Sequence, residues 1–389
     1  MQLAKILVVD DEPDLEFLIL QKFRGKINSK EYEFLFARDG SEALTIIQNN
    51  KNINLVLTDI NMPVMDGLTL LSKMNEIENR IIRSIIVSAY GDMENIRIAM
   101  NRGAFDFITK PIDLKDLELT IEKSLREIEI YKHALASRDK LVVLQKELDI
   151  ATLIQTTLLL KSFPAFPDRK EFDIHAKMIP AKEVGGDLYD LFLIDKNRLG
   201  IVIGDVSGKG IAAALLMAVC KTLIKVTALK GLPTDTVLYE VNNIIHKESP
   251  SNMFVTLFYG ILDIRNGTFE YSNGGHNLPI LISLDGKSKQ IENVGGLLLG
   301  AISGIEYESN RIKLNGGETL FFFTDGITEA FNKAEEEFNE EQLLEIVSNK
   351  NDYSAQNLVE FVIKSVKTFT NGTEQSDDIT CVSLKYCKS

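Results

Sequence analysis

The sequence predicts an α/β domain, a long helix and a second domain with antiparallel strands, in that order along 389 residues. Three observations support this prediction. Short β-branched segments alternate with helical segments over the first third of the chain, and residues 113–160 contain neither Gly nor Pro. The last half combines alternating apolar segments with four aspartate motifs. We therefore expect domains at residues 1–125 and 161–389, joined by a helical coiled-coil linker at 126–160.

The first domain is predicted from its strands. Five β-branched segments, KILVVD, EFLFA, NLVLTD, SIIVSA and AFDFIT, are separated by segments with helical spacing at 41–49, 67–77 and 93–102. This alternation indicates a five-stranded, doubly wound parallel sheet whose active site lies at the carboxyl ends of its strands. Polar residues occur at those ends: Asp10, Asp11, Asp59, Ser88 and Lys110.

This set resembles the response-regulator receiver family, whose pattern is an acidic pair, an acceptor Asp, a Ser or Thr, and Lys-Pro. The resemblance implies that Asp59 accepts a phosphoryl group from a cognate histidine kinase. Ser88 and Lys110 would contact that group, and Phe107 matches the switch aromatic residue. A carboxylate needs such help, because it is a poor nucleophile unless cations neutralise the charge on the phosphoryl oxygens. The implied Mg²⁺ ligands are Asp10, Asp11, Asp59 and the carbonyl of Asn61.

The linker is predicted from the absence of turn residues, which indicates one long helix or two. Its apolar positions step by three and four, as in a two-stranded coiled coil. They are Leu114, Leu117, Ile121, Ser124, Ile128, Tyr131 and Leu135. The pattern changes phase around 137–140 and restarts at Leu141 and Leu144. A helix packed on its own domains is the alternative, but so long a stripe favours a homodimer through the linker helix.

The second domain is marked by four motifs, VGGDLYD, GDVSGKG, FFFTDGITEA and SDDIT. They carry Asp187, Asp205, Asp325 and Asp377 respectively. Carboxylates beside Gly-rich turns suit hard divalent cations, so these motifs predict metal-assisted phosphate chemistry. Alternating segments at 199–203, 254–262, 267–271 and 319–323 are compatible with antiparallel strands.

These motifs, with ELDIATLIQTTLL before them and NGGHNLP among them, resemble the SpoIIE/RsbU branch of the metal-dependent PPM serine/threonine phosphatases. The resemblance implies a β-sandwich of two antiparallel sheets flanked by helices, with two Mn²⁺ or Mg²⁺ ions and with Asp187 and Asp205 nearest the reacting water. Asp377 is preferred to Asp378, which takes the place of an Asn in the family. The implied substrate is a phosphorylated STAS-type anti-sigma-factor antagonist. The implied metal ligands are Asp187, Asp205, the carbonyl of Val206, Asp325 and Asp377.

Two side chains and two other classes of function stay open. Lys182 either replaces the substrate-binding Arg of the wider phosphatase family or is a solvated lysine. His276 is either a general acid or, as its turn motif favours, a hydrogen-bonded structural residue. VGGDLYD also resembles the loop of diguanylate cyclases, although Leu188 stands where those enzymes have Glu. The second alternative is a catalytically silent adaptor.

Composition limits the partners. Hydrophobic residues make up 45% and charged residues 25%, as in ordinary soluble proteins. The net charge of −13 argues against nucleic acid, whose phosphates need a basic surface. The longest apolar run, 211–220, is shorter than the roughly 20 residues of a membrane helix. Three scattered cysteines provide no disulfide framework, so we expect a cytoplasmic protein without nucleic-acid or membrane partners.

Overall fold

The computed structural model describes residues 3–77, 81–89, 91–160, 162–248 and 253–388. The chain divides into two compact units, residues 1–143 and 144–389. The division falls inside one long helix, whose first part packs in the first unit and whose last part packs in the second.

The first unit is a five-stranded parallel sheet in the order β2-β1-β3-β4-β5, which confirms the predicted receiver architecture. Its strands are β1 (Ala4–Val9), β2 (Tyr32–Ala37), β3 (Ile53–Asp59), β4 (Arg83–Ala89) and β5 (Asp106–Lys110). Its helices are α1 (Pro13–Lys22), α2 (Arg24–Asn28), α3 (Gly40–Asn49), α4 (Gly67–Asn75), α5 (Met93–Asn101) and the start of α6 (Leu114–Leu158).

Both faces of this sheet are buried, which explains its nearly continuous apolar strands. On β1, Ile6 and Val8 join one core cluster, whereas Leu7 and Val9 join the cluster on the opposite face. A side-chain cap fixes where α3 begins. Asp39 accepts hydrogen bonds from the N–H groups of Ser41 and Glu42 at the start of α3. Parallel pairing of all five strands brings their carboxyl ends to one edge of the sheet.

Helix α6 is a single helix, which is one of the two possibilities that the absence of Gly and Pro predicted, but part of its apolar stripe has another role. Leu117 and Ile121 are buried in the receiver core, and Ile128 is also buried. These positions are therefore not free to contact a second copy, and for them the coiled-coil interpretation was wrong. A helix that packs on its own domain and a helix that pairs in a coiled coil both have one apolar stripe, so the sequence pattern does not distinguish them. Tyr131 and Leu135 are exposed, so the homodimer prediction rests on them and on the restart after residue 140.

The second unit contains two five-stranded antiparallel sheets, in the orders β13-β10-β9-β8-β7 and β12-β11-β14-β15-β6. The strands are β6 (Phe172–Ile179), β7 (Leu188–Leu193), β8 (Arg198–Val206), β9 (Val255–Asp263), β10 (Thr268–Gly274), β11 (Ile280–Ile282), β12 (Ser288–Gln290), β13 (Asn310–Lys313), β14 (Thr319–Phe323) and β15 (Ile379–Tyr386). The helices are α7 (Ile211–Ala228), α8 (Thr234–Glu248), α9 (Asp325–Thr328), α10 (Glu340–Val347) and α11 (Ala355–Thr370).

Three apolar layers hold these sheets and helices together. The central cluster joins strands of both sheets, with Phe258 and Phe269 from one and Phe322 from the other. A second cluster lies between α7, α8 and their sheet, and a third between α10, α11 and the opposite sheet. The domain is therefore a β-sandwich flanked by helices, which confirms the predicted architecture.

The sandwich brings the aspartate motifs to the ends of strands. Asp187 directly precedes β7, and Asp205 lies near the end of the neighbouring strand β8. Asp325 begins α9 after β14, and Asp377 lies just before β15, which pairs with β14. Each sheet therefore contributes two of the four predicted ligands.

Among the described residues, α7 is the one helix long and apolar enough to cross a membrane by length and composition alone. Of this helix, 44% is buried. Its buried side chains, including Met217 and Cys220, pack in the cluster between α7, α8 and the sheet. This packing is typical of a core helix in a globular domain.

Candidate functional site

The receiver carboxylates form a compact acidic group. In the part of the chain that the structure describes, Asp10, Asp11 and Asp59 are the one set of three acidic, His or Cys side chains with ligand atoms all within 4.8 Å. The parallel sheet produces this group, because β1 and β3 are neighbours and end at the same edge. Hard carboxylate oxygens at this spacing fit a Mg²⁺ ion.

Lys110 lies against this acidic group. Its ammonium is 2.6 Å from Asp59 Oδ2, 3.1 Å from Asp10 Oδ2 and 3.2 Å from Glu12 Oε1. Partial burial lowers the pKa of Lys110, but the bonds to Asp59 and Asp10 outweigh it and raise the pKa above the usual lysine value. Burial also raises the pKa of Asp10, against the opposing effects of the Glu12 N–H and Lys110. Lys110 is therefore charged at neutral pH.

The other predicted receiver residues lie at the same edge but make different contacts. Ser88 is buried at the end of β4, where its hydroxyl donates to Asp92 Oδ2 at 3.4 Å. The N–H of Asn61 donates to Asp59 Oδ1 at 3.2 Å, which holds the loop after β3 close to Asp59. Phe107 on β5 is 38% exposed, so its side chain is accessible to solvent.

In the second unit, Asp187 is the most deeply buried of the four predicted aspartate ligands, with 1% exposure. Its Oδ2 accepts a hydrogen bond of 2.8 Å from the hydroxyl of Thr324. Burial, together with the charge of Asp205, raises the pKa of Asp187 well above the ordinary value. Few hydrogen-bond donors offset the charge of this buried carboxylate, so it is suited to binding a cation.

Asp205 and Asp325 show the same conflict between charge and burial. Burial raises the pKa of Asp205 to about 7, with further contributions from the charges of Asp325, Asp377 and Asp378. Burial and the charge of Asp377 also raise the pKa of Asp325. The four motifs are therefore brought close enough for their carboxylates to repel one another, although no three of the described acidic residues there form a group as tight as that in the receiver.

Two glycines allow the backbone to approach these carboxylates. A Cβ atom on Gly185 would collide with the Asp378 carboxylate. A Cβ atom on Gly186 would lie 2.7 Å from the Val206 carbonyl oxygen and 3.0 Å from Asp205 Oδ1. The backbone between Val184 and Asp187 is thus packed directly against the acidic cluster. Oxygen donors in this arrangement fit divalent metal ions.

Asp377 and Asp378 have different surroundings although they are adjacent. Asp378 is buried, and its two oxygens accept from the N–H groups of Ala181 at 2.8 Å and Asp187 at 3.4 Å. Asp377 is partly exposed and pairs with Lys209, whose ammonium is 2.8 Å from its Oδ2. Lys209 also donates to the carbonyl of Ser376 at 2.7 Å.

Lys182 and His276 differ sharply in exposure. Lys182 is exposed. His276 is buried, with Nδ1 2.9 Å from the hydroxyl of Thr256 and its N–H donating to Asn273 Oδ1 at 2.9 Å. Burial lowers the pKa of His276 to about 4. The imidazole is therefore neutral at pH 7, which agrees with the structural interpretation of this residue.

Comparisons with known proteins agree with this geometry. The response regulator receiver domain family matches residues 6–122, and the Stage II sporulation protein E (SpoIIE) family matches residues 195–386. Phosphoserine phosphatase RsbU of Bacillus subtilis is 30% identical over 243 residues, which are 62% of this chain and 70% of RsbU. The chain belongs to the SpoIIE-type PPM serine/threonine phosphatases. It is a response regulator with a phosphatase output domain.

Two further relatives define how far the similarity extends. Protein IcfG of Synechocystis is 29% identical over 57% of this chain, which spans 39% of IcfG. The solved SiaA-PP2C domain of Pseudomonas aeruginosa superposes with a TM-score of 0.52 at 20% identity, covering 64% of this chain and 99% of that domain. The latter likeness concerns the fold alone. SpoIIE-type phosphatases are metal-dependent, and membership in this family removes the diguanylate cyclase alternative.

Three residues of this SpoIIE-type phosphatase were not assigned from the sequence, although each lies inside or beside a motif. Thr324 directly precedes Asp325, and Lys209 lies within GDVSGKG. Gln155 lies in ELDIATLIQTTLL, and its amide bonds to the backbone of Gly185. A polar residue next to a ligand motif was the available signal, but its partner could not be known from spacing.

The raised pKa of Asp205 predicts how stability depends on pH without metal. An unfolded Asp titrates near pH 4, whereas the folded carboxyl titrates at about 7. Between about pH 4 and 7 the folded state therefore holds a proton that the unfolded state lacks, so the free energy of unfolding falls as pH rises through this window. Asp205→Asn should weaken this dependence when thermal unfolding is followed from pH 5 to 8 in chelator. The exposed residue Asp352 offers a control, Asp352→Asn, which should keep the wild-type slope. Equal slopes in all three proteins would contradict the prediction.

Proposed function

We propose that this response regulator removes phosphate from phosphoserine or phosphothreonine on a protein, under control of Asp59 phosphorylation. The observation that carries the proposal is that Asp187, Asp205, Asp325 and Asp377 lie at strand ends of a SpoIIE-type domain, where burial and neighbouring carboxylates raise the pKa of the first three. Four acidic side chains brought together from distant segments have no structural purpose that apolar residues would not serve better. A cation-dependent reaction explains why they are there.

The proposed metal ligands of the phosphatase domain are Asp187, Asp205, the carbonyl of Val206, Asp325 and Asp377. Asp378 is better suited to holding the loop, because both of its oxygens already accept backbone N–H bonds. Two Mn²⁺ or Mg²⁺ ions bound there would polarise the phosphate and would lower the pKa of a bound water, so that hydroxide is available near neutral pH. Thr324 fixes the orientation of Asp187 through its hydroxyl, as outer partners of metal ligands commonly do.

Lys209 is the proposed group for binding the substrate phosphate. The chain lacks an Arg between residues 170 and 187, where the wider family has its phosphate-binding residue. Lys209 places an ammonium on a flexible stem 2.8 Å from Asp377, at the edge of the acidic cluster. A phosphate that enters between the ions needs such a donor, because a charge-assisted bond both orients and neutralises it. Lys182, although closer in sequence to the missing Arg, has no comparable contact among the bonds of the described residues.

In the receiver, the proposed reaction transfers a phosphoryl group from a histidine of a cognate kinase to an Asp59 carboxylate oxygen. The O–P bond forms as the N–P bond breaks, and the electron pair of the N–P bond stays on the ring nitrogen, so the kinase histidine leaves as a neutral imidazole. Lys110 would pair with the added charge, and Ser88 would donate to a phosphoryl oxygen. Mg²⁺ is proposed on Asp10, Asp11, Asp59 and the carbonyl of Asn61.

The proposed substrate is a phosphorylated STAS-type anti-sigma-factor antagonist, and the proposed compartment is the cytoplasm. RsbU, which this chain resembles over 70% of its length, is named a phosphoserine phosphatase. A homodimer through α6 is proposed on the exposed apolar residues Leu141 and Leu144. A catalytically silent adaptor is the competing function, and the first experiment below distinguishes the two.

Loss of Asp205 should abolish catalysis without unfolding the domain. Asp205→Asn should lower kcat/KM for an aryl phosphate and for a phosphoserine protein by about a hundredfold or more, since even an outer partner of a metal ligand is worth 10–100-fold. The assay uses saturating Mn²⁺, with Asp352→Asn as the control of the same chemistry. Wild-type turnover by Asp205→Asn would disprove the assignment, and inactivity of the wild type toward both substrates would favour the adaptor.

Loss of Lys209 should weaken substrate binding more than turnover. Lys209→Ala should raise KM for the phosphoserine protein by about tenfold, because a bond to a charged group contributes about 1.5 kcal/mol or more. Steady-state kinetics in Mn²⁺ would measure the change, with Lys182→Ala as the control that leaves KM as it is. A raised KM in Lys182→Ala together with an unchanged KM in Lys209→Ala would contradict the proposal and assign phosphate binding to Lys182 instead.

Phosphorylation should occur at Asp59 alone. A small phosphodonor with Mg²⁺ should add one phosphoryl group to the wild type and to Asp14→Ala, a control at an exposed carboxylate on α1. Asp59→Ala should add none, as intact-mass spectrometry would show. A persistent label in Asp59→Ala would move the acceptor to Asp10 or Asp11, the carboxylates beside it.

A further inference from the structure

The last turns of α6 are hydrogen-bonded to the loop that carries Asp187. The hydroxyl of Thr152 donates to the carbonyl of Glu183 at 2.7 Å. The amide of Gln155 donates to the carbonyl of Gly185 at 2.6 Å and accepts from the N–H of Gly185 at 3.1 Å. Gln155 is 6% exposed, so these bonds form out of water, where an unpaired partner is costly.

The peptide that Gln155 holds is also in contact with the acidic cluster. Gly185 lies so close to Asp378 that no side chain fits between them. Asp378 in turn accepts from the N–H of Asp187. The backbone at Gly185 is therefore held on one side by an amide of the helix and on the other by a carboxylate of the cleft.

From Gly185 the contacts continue to the predicted ligands without a gap. The carbonyl of Gly186 accepts from the N–H of Val206 at 3.3 Å, and Gly186 lies against Asp205. The next residue is Asp187, fixed by Thr324. A displacement of the Gly185 peptide must therefore move Asp187 or break bonds on both sides, because close-packed interiors transmit such shifts.

We propose that Gln155 is a positioning residue that sets the affinity of the cleft for its divalent ions by holding the Gly185 peptide. The inference rests on the proposed metal-dependent function and adds the element through which that site is controlled. Helix α6 begins at Leu114 beside the receiver core and ends at Leu158, three residues after Gln155. A shift of the end of α6 would reach the loop that carries Asp187 through the bonds of Gln155 and Thr152.

The test compares three variants of the full chain. Gln155→Leu keeps the approximate size of the side chain and removes both bonds to Gly185, whereas Thr152→Val removes the bond to Glu183. Gln145→Leu is the matched control, because Gln145 lies on the same helix, is exposed, and donates to Asp149 at 3.1 Å. Hydrogen–deuterium exchange of residues 183–187 is followed while Mn²⁺ is added, which makes the readout local to this site.

In Gln155→Leu, the Mn²⁺ concentration for half-maximal protection of residues 183–187 should be about tenfold higher than in the wild type. Thr152→Val should shift it less, and Gln145→Leu not at all. The Mn²⁺ concentration for half-maximal hydrolysis of an aryl phosphate should shift in parallel. Turnover of Gln155→Leu should recover at high Mn²⁺, which a merely damaged domain would not do.

A wild-type Mn²⁺ titration for Gln155→Leu would overturn the proposal. If Gln155→Leu fails to fold by thermal melting, Thr152→Val decides, and an unshifted titration there overturns the proposal as well. If Mn²⁺ protects residues 183–187 in neither the wild type nor Gln145→Leu, the metal site itself is rejected together with this inference. A normal wild-type titration with an unshifted Gln155→Leu rejects the inference alone.

Discussion

Repulsion between carboxylates at strand ends is the constraint on which the phosphatase domain depends. Asp187, Asp205 and Asp325 are each buried enough that their pKa values rise. The fold keeps them together only because the central apolar layer fixes both sheets and because donors such as Thr324 compensate part of the charge. A bound dication would relieve the rest, so metal binding and stability are linked in this domain.

In the receiver, a lysine side chain offsets the repulsion between the clustered carboxylates. Its acidic group is tighter, and Lys110 reaches into it from β5. The phosphatase domain instead places Lys209 at the rim, where the ammonium is half exposed. A permanent internal cation would suit a site that takes up a phosphoryl group on Asp59, as proposed above. A rim cation leaves the interior of the other cleft for ions and substrate.

The sequence predicted the fold well where local pattern decides it. The receiver strands lie within a few residues of their predicted positions, and the alternating segments of the second domain became β8, β9, β10 and β14. Pattern failed along α6, where Leu117 and Ile121 have coiled-coil spacing but pack on their own domain. An amphipathic stripe specifies burial but not the partner that buries it.

The aspartates of the candidate site could be predicted from the sequence because each of them lies within a recognisable motif. The roles of Gln155, Thr324 and Lys209 depend instead on contacts between residues 30, 137 and 167 positions apart. Such pairs have no spacing rule. They arise from how helices, loops and strands meet in the folded domain, so only the three-dimensional arrangement reveals them.

Lys110 also shows why equal charge does not make two residues equivalent. Its ammonium is a compact group that meets Asp59, Asp10 and Glu12 from one point, at 2.6 to 3.2 Å. A guanidinium is planar and wider, and it binds carboxylates with a two-pronged geometry that one such point cannot provide. An arginine at this position would therefore not reproduce these contacts, although it would preserve the net charge of the site. Shape, rather than charge, limits which residues this site can accept.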